Sequence, residues 1–105
     1  ADYAARNGIS ESKIIVDPGI GFGKSLEGNA LLIKKCGQLC GGKYPVLMAL
    51  SRKTCIGQMT GRDASDRLFG TVAANLISVQ NGASLVRVHD VASCRDSLAV
   101  LKSLR

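Results

Sequence analysis

Three short apolar runs recur along the chain, and they constrain its fold more than any other feature. They are KIIVD at 13–17, YPVLMALS at 44–51 and SLVRVHD at 84–90. Nearly continuous apolar runs are typical of parallel strands that are covered on both faces. The segments between them are long enough to hold a helix each, so the pattern predicts alternating strands and helices.

Apolar periodicity predicts one helix after each strand, over residues 26–39, 63–80 and 91–104. The first should end at the glycine pair 41–42. Asp63 and Asp90 stand where they could cap the second and third helices. The second helix has apolar residues on one stripe, at Leu68, Val72, Leu76 and Val79.

This order predicts an α/β fold of three consecutive β/α units with parallel strands, a single partial domain over residues 1–105. Three parallel strands alone leave both sheet edges open. Part of a TIM (β/α)8 barrel is therefore favoured over an independent three-unit domain, which would need a swapped or dimeric partner. The first residues read like the end of a helix that stops at Gly8, which suggests a piece of a longer protein.

Composition favours a globular protein, with 46% apolar and 21% charged residues. The net charge of +6 invites a nucleic-acid interpretation, but the cations are scattered and not interleaved with aromatic residues. We therefore expect no nucleic-acid partner. A solvated basic surface is the favoured explanation of the charge, and an anionic small substrate, which needs only two or three placed cations, is a second one. No apolar run is long enough for a membrane span, and the start is not a signal peptide.

The four cysteines do not form a CxxC pair, although Cys36 and Cys40 are one helical turn apart. A zinc site remains possible but is not favoured. We expect reduced thiols and a cytoplasmic protein, and no metal ligand in this chain.

The stretch VDPGIGFGKS at 16–25 resembles a phosphate-binding loop but matches neither standard pattern. Pro18 stands where the Walker A loop requires its first glycine, and Lys24 stands where the dinucleotide fingerprint requires its third. Its glycines would let the backbone approach a flat ligand closely. Phe22 is the only aromatic side chain of this stretch and could cover an aromatic ring.

Polar side chains gather where each predicted strand ends, which is the rim where parallel α/β folds place their sites. Asp17 could simply begin a turn, Ser51 and Lys53 could lie in a solvated loop, and His89 could be structural. Their convergence favours a site. Arg87 and His89 are two residues apart, so both should face the same side, as should Ser51 and Lys53 if the strand continues.

The chemistry of these residues fits a flat heterocycle that carries a phosphate group. Arg87 offers a planar fork for phosphate oxygens, and His89 offers a second donor. Lys53 is a movable charge. Asp17 is an acceptor for paired N–H groups, such as the edge of a guanidine-like ring.

Three motifs, DPGIGFGK (17–24), SRKTCIG (51–57) and RVHD (87–90), together with SDRLFGTVAA (65–74), resemble the dihydropteroate synthase family. This is the folate-pathway family that sulfonamide drugs inhibit. The resemblance covers essentially all 105 residues and implies the last three units of the family's eight-unit barrel. Ala49 is a departure, because the resemblance leads us to expect a glycine there.

The resemblance implies condensation of 6-hydroxymethyl-7,8-dihydropterin diphosphate with p-aminobenzoate. It assigns Asp17 and Lys53 to the pterin. Ser51, Phe22 and Lys53 would form the p-aminobenzoate pocket, and Arg87 and His89 would bind diphosphate. It also implies a Mg2+ ion, with its protein ligand outside this chain, and a homodimer as the intact enzyme.

Two alternatives remain open. A pterin-binding methyltransferase domain of the same superfamily would use the aspartate but has no need for SRK and RVHD. A non-catalytic, truncated relative is the other, and the 105-residue chain alone is expected to be inactive.

Overall fold

The computed structural model describes residues 6–21 and 25–105. Two regular strands, β1 (Leu47–Met48) and β2 (Leu85–Val86), pair in parallel. Val16 forms a parallel bridge to Val46, on the other side of the middle strand. The three apolar runs are therefore parallel neighbours in chain order, as predicted.

The regular strands are shorter than the apolar runs, but the hydrogen bonds extend beyond them. The amide of Leu47 donates to the Val16 carbonyl at 2.9 Å, and the amide of Arg87 donates to the Met48 carbonyl at 3.0 Å. Lys13, which we predicted as the start of the first strand, belongs instead to a 3-10 helix. Pairing thus begins late in the first run but at the start of the third, where the Ser84 and Leu85 amides donate to the Val46 carbonyl.

In the described part of the chain, α-helices follow or separate the strands, and a short 3-10 helix precedes each of the first two parallel segments. The α-helices are α1 (Leu26–Lys34), α2 (Thr54–Thr60), α3 (Leu68–Gln80) and α4 (Val91–Ser103), and the 3-10 helices are Glu11–Lys13 and Cys36–Gly42.

The first predicted helix, over 26–39, is broken after Lys34. The chain continues into the 3-10 segment, where Leu39, Cys40 and Gly41 leave helical geometry. The reason is a long-range contact, because the Gly37 amide donates to the Asn81 carbonyl at 3.1 Å. The chain bends to make that contact, and it turns away at the glycine pair as predicted.

The second predicted helix, over 63–80, is shorter than predicted, and a separate helix, α2, precedes it. Helix α2 was missed by the periodicity, and it ends at Gly61 in the left-handed conformation (φ 74°). Helix α3 begins only at Leu68, with Arg67 at its N-cap position, so the predicted cap by Asp63 is wrong. The Asp63 carbonyl instead accepts from the amide of Asp66 in the turn before the helix.

The third predicted helix lies where expected, but the side-chain cap by Asp90 is wrong. Asp90 occupies the N-cap position of α4 without a capping hydrogen bond from its carboxylate. That carboxylate accepts two hydrogen bonds from Arg52, at 2.8 and 3.3 Å. An ion pair across the structure has displaced the local cap.

The core lies against the middle strand, where alternate residues on one face are almost completely buried. Val46, Met48 and Leu50 are each no more than 2% exposed. Helix α3 turns a face of small and polar residues inward, and the predicted stripe of Leu and Val is only half-buried. Small residues allow this helix to approach closely. The buried residues of that face are Thr71, Ala74, Asn75 and Ser78.

Among the described residues, no helix is long and apolar enough to cross a membrane. All four cysteines are free thiols, and burial raises the pKa of Cys36, Cys55 and Cys94. In that same part of the chain, no three His, Cys, Asp or Glu side chains cluster as a metal site would require.

Two backbone segments touch at Gly37 and Gly82. A Cβ added to Gly82 would lie 2.7 Å from the Gly37 Cα, and Gly82 has φ of 109°. A Cβ on Gly37 would lie 2.4 Å from the Asn81 carbonyl oxygen. Neither obstacle is a flexible side chain, so this contact requires glycine on both sides.

We expect Gly82→Ala to lower the free energy of unfolding by about 3 kcal/mol, because it combines a backbone clash with a strained φ. Gly61→Ala is the matched control. Gly61 also has positive φ, but nothing lies within 4 Å of its Cβ position, so we expect a loss of about 1 kcal/mol. Urea denaturation of a complete barrel that contains this sequence, followed by circular dichroism, measures both. Equal losses would contradict the packing argument.

Candidate functional site

The carboxyl ends of the three parallel segments open into one cleft of about 420 Å³. Five of the six predicted site residues line it, and they come from three separate segments of the sequence. Phe22, the sixth, lies outside the described residues. The lining consists of Asp17, Ala49, Ser51, Lys53, Arg87, Val88 and His89.

Asp17 occupies one edge of the cleft, in an exposed position. Its Oδ1 accepts a hydrogen bond from the Gly19 amide at 2.8 Å, so it does form the turn that its position before Pro18 suggested. An ionised carboxylate has about four acceptor positions. The turn therefore orients this carboxylate and leaves it able to accept further N–H groups.

The glycine loop after Asp17 is held in place from helix α1. Gly19 and Gly21 have φ of 71° and 87°, which favours glycine. The Gly21 amide donates to the Asn29 side-chain oxygen at 3.1 Å, and Asn29 is 3% exposed. Sequence reasoning missed Asn29, because nothing local distinguishes it from a surface residue of an amphipathic helix.

Lys53 reaches across the cleft to the glycine loop. Its Nζ donates to the Ile20 carbonyl at 2.7 Å, and its Cδ lies 3.5 Å from the Cβ position of Gly21. The lysine stem thus passes over the loop at van der Waals distance, where a larger residue would crowd it. The alkyl part of Lys53 and the loop backbone together form one wall.

Ser51 and His89 are joined by two contacts between neighbouring strand ends. The His89 amide donates to Ser51 Oγ at 3.2 Å, and Oγ lies 2.8 Å from His89 Nδ1. Because the hydroxyl accepts from the amide, its own hydrogen is available to Nδ1 of a neutral imidazole. In the tautomer that accepts this hydrogen at Nδ1, the ring proton is on Nε2, where it is a hydrogen-bond donor.

Arg87 is fixed through its backbone and contributes its side chain to the cleft. Its amide belongs to the parallel ladder, which places its guanidinium on the cleft side together with His89. With Lys53, it gives the described lining two cations against the single carboxylate of Asp17. The cleft is therefore suited to a ligand with an anionic group at one end and N–H donors at the other.

Ala49 lies at the floor of the cleft and is 8% exposed. The resemblance predicted a glycine here, so this chain adds a methyl group to the lining.

Two further features escaped the sequence reasoning, and both concern Arg52. It lies between Ser51 and Lys53 and has φ of 58°, in the left-handed region. Its amide donates to Thr71 Oγ1 at 3.1 Å, and its guanidinium pairs with Asp90. Neither interaction has a local sequence signal, because the partners lie 19 and 38 residues away.

Comparison with known proteins adds an independent result. The model of a family described as pterin binding enzyme matches residues 1–89. A dihydropteroate synthase of Haemophilus influenzae is 44% identical over 93 residues, which are 89% of this chain and 34% of the relative. A Mycobacterium tuberculosis protein named inactive dihydropteroate synthase 2 is 37% identical over all 105 residues, which span 33% of it.

Solved structures of related proteins also resemble this chain. The dihydropteroate synthase of Xanthomonas albilineans, solved in complex with 7,8-dihydropteroate, superposes with a TM-score of 0.94 and 44% identity. The match covers 98% of this chain and 40% of that one. The same enzyme has been solved with 4-aminobenzoic acid.

This chain spans about a third of the length of the curated relatives it matches. Its α/β fold and parallel strands fit a portion of the (β/α)8 barrel of these enzymes, which confirms the predicted fold class. The family match covers most of the chain, and it extends through all three strand ends. The chain belongs to the pterin binding enzyme family.

Proposed function

We propose that a complete barrel containing this sequence is a dihydropteroate synthase. One observation carries the proposal: five residues from three successive strand ends line a single cleft with one carboxylate and two cations. The named relatives support the proposal. Their sequences match this chain across these strand ends, and the backbone of the solved relative superposes on it. We further propose that residues 1–105 are one partial domain, the last three of eight β/α units.

The proposed reaction condenses 6-hydroxymethyl-7,8-dihydropterin diphosphate with p-aminobenzoate to 7,8-dihydropteroate and diphosphate. The C–O bond to diphosphate breaks, and its electron pair leaves with the diphosphate. The aniline nitrogen forms the new C–N bond and loses one proton. Because the dihydropterin ring can delocalise the developing cation, the protein needs no covalent nucleophile. Its tasks are positioning and stabilisation of the separating charges.

Each residue of the cleft suits one part of that task. Asp17 would accept hydrogen bonds from the N–H edge of the pterin, and Lys53 would contact the ring. Ser51, Lys53 and Phe22 would border the p-aminobenzoate. Arg87 and the Nε2–H of His89 would receive the diphosphate, where charge-assisted hydrogen bonds are strongest.

The described part of the cleft does not resemble a Mg2+ site. Mg2+ prefers octahedral oxygen ligands, and the described lining supplies a single carboxylate, that of Asp17, which is too few to hold the ion. We propose that Mg2+ serves the complete enzyme with ligands from outside this sequence, and we assign no step to it here.

We also propose that the complete enzyme is a cytoplasmic homodimer. Free thiols support the compartment. An apolar stripe on the outer face of α3 supports self-association, since Phe69 is 84% exposed and Ile77, two turns later, is 47% exposed. We expect no nucleic-acid and no membrane partner.

The inactive Mycobacterium tuberculosis relative favours a second candidate, a protein that retains the fold without the reaction. A pterin-binding methyltransferase domain is less well supported, since it would leave Ser51, Arg87 and His89 without a ligand. The decisive test uses a chimera in which residues 1–105 replace the matching segment of the Xanthomonas albilineans enzyme.

The chimera should synthesise dihydropteroate, and the isolated 105-residue chain should not, because it lacks most of the barrel. Turnover is measured by release of diphosphate together with chromatography of the product. An inactive chimera that still binds the pterin diphosphate would favour the non-catalytic candidate. Turnover by the isolated chain would refute the requirement for the remaining units.

Asp17→Asn in the chimera should weaken binding of the pterin diphosphate by about 2 kcal/mol, because a donor replaces an acceptor at the pterin edge. The amide oxygen that the substitution introduces can still accept from the Gly19 amide, so the turn is kept. Isothermal titration calorimetry gives the affinity. Asp63→Asn, an exposed aspartate away from the cleft, is the matched control. Unchanged binding by Asp17→Asn would remove Asp17 from the pterin site.

Arg87→Ala should weaken the same substrate by about 2–3 kcal/mol through loss of a charge-assisted contact. Binding of a pterin without diphosphate should change far less, which locates the lost contact at the diphosphate. Arg95→Ala, an exposed arginine of α4, controls for the change in net charge. Equal losses for the two ligands would argue against the diphosphate role.

A further inference from the structure

Arg52 adopts a backbone conformation that its residue type disfavours. Its φ of 58° costs a non-glycine residue about 1–2 kcal/mol. Such strain persists only where surrounding contacts enforce it, and it tends to occur at functional sites. Here it lies between Ser51 and Lys53, two residues that line the cleft.

Four hydrogen bonds enforce that conformation from three directions. The Arg52 amide donates to Thr71 Oγ1 at 3.1 Å, and the Arg52 carbonyl accepts from Arg67 Nη1 at 3.1 Å. The Arg52 guanidinium donates through both Nη2 and Nε to the two carboxylate oxygens of Asp90, at 2.8 and 3.3 Å. Backbone and side chain are therefore both held.

Gly57 on α2 makes room for one of these partners. A Cβ at Gly57 would lie 2.5 Å from Arg67 Nη2 and 2.7 Å from its Cζ. The guanidinium of Arg67 thus lies directly against the helix backbone, where it can reach the Arg52 carbonyl. The contact depends on a glycine inside a helix, which ordinarily destabilises that helix.

Asp90 does not make the helix cap that its position in the sequence favours. It occupies the N-cap position of α4, where a side-chain cap contributes about 1 kcal/mol, yet it makes none. Its carboxylate turns to Arg52 instead. Because Asp90 directly follows His89, the ion pair connects the strand end that carries Ser51 and Lys53 with the one that carries Arg87 and His89.

The Arg52 side chain does not face the substrate cleft. It lines a separate cavity of about 430 Å³ with Asp90, Arg67, Leu68, Ala64 and Ser65, and no described residue lines both cavities. Any effect of Arg52 on the reaction must therefore act through its neighbours in the chain.

We propose that Arg52 and Asp90 are a positioning pair for this site. The pair holds the left-handed turn at Arg52 so that Ser51 and Lys53 both face the cleft, and it fixes that turn relative to Arg87 and His89. Neither residue contacts the substrate. The inference rests on the proposed function for its kinetic consequences, and its structural part can be tested without turnover.

The kinetic test is a double-mutant cycle in the chimera with Arg52→Ala, Asp90→Ala and the double variant. Each single variant should lower kcat/KM about tenfold, and the double should lie within about twofold of either single, because both remove the same interaction. The exposed pair of Arg62 and Asp66, 3.1 Å apart, is the matched control. Alanine variants of that pair should stay within about twofold of the parent chimera.

A glycine variant separates backbone strain from the ion pair. Arg52→Gly adopts positive φ without strain, so it should retain more activity than Arg52→Ala and still less than the parent. A purely structural role would lower the thermal midpoint of all these variants and leave kcat/KM of the folded protein unchanged. That result, or additive losses in the cycle, would overturn the proposal.

An NMR readout distinguishes failure of this proposal from failure of the proposed function. The imidazole ¹⁵N shifts of His89, assigned with His89→Gln, report on the contact between Nδ1 and Ser51 Oγ. Arg52→Ala and Asp90→Ala should both shift them, and Arg62→Ala should not. If the chimera is inactive but these shifts occur, the positioning role of Arg52 and Asp90 is supported and the proposed synthase activity is rejected. Unmoved shifts would overturn the pair in either case.

Discussion

The parallel pairing of the middle strand is the interaction on which the other features of this structure depend. Val46 and the residues of β1 accept and donate hydrogen bonds on both sides, to the segment at Val16 and to the segment that leads into Arg87. Parallel pairing brings the carboxyl ends of strands to one rim. Residues far apart in sequence consequently share one cleft, and backbone hydrogen bonds between the three segments are what hold them there.

The cleft is organised by hydrogen bonds within the protein as much as by its shape. Asp17 is oriented by the amide of Gly19, Lys53 is fixed against the Ile20 carbonyl, and Ser51 is linked to His89. Each contact orients a side chain that can still form hydrogen bonds with a ligand in the cleft. Preorganisation of this kind lowers the cost of arranging polar groups around a substrate, which suits a reaction that separates charge.

The sequence allowed prediction of the strand order and the rim residues, because apolar runs and polar ends are local signals. It failed where a distant partner changed a local preference. Asp90 has the sequence position of a helix cap, yet Arg52, 38 residues away, takes its carboxylate. Helix α2 was missed because polar residues and Gly57 interrupt its apolar pattern. Gly57 proves to accommodate Arg67, a contact that no periodicity can reveal.

The contact between Gly37 and Gly82 lies at the opposite end of the strands from the cleft, since Gly82 closely precedes the chain segment that forms β2. There the backbones of two β/α units meet without any intervening side chain. The two ends of the sheet consequently have different tolerances to change. Substitutions at the cleft end can alter ligand preference while the units stay joined, whereas the glycine end admits almost no variation. A lineage could thus lose its chemistry and keep its architecture.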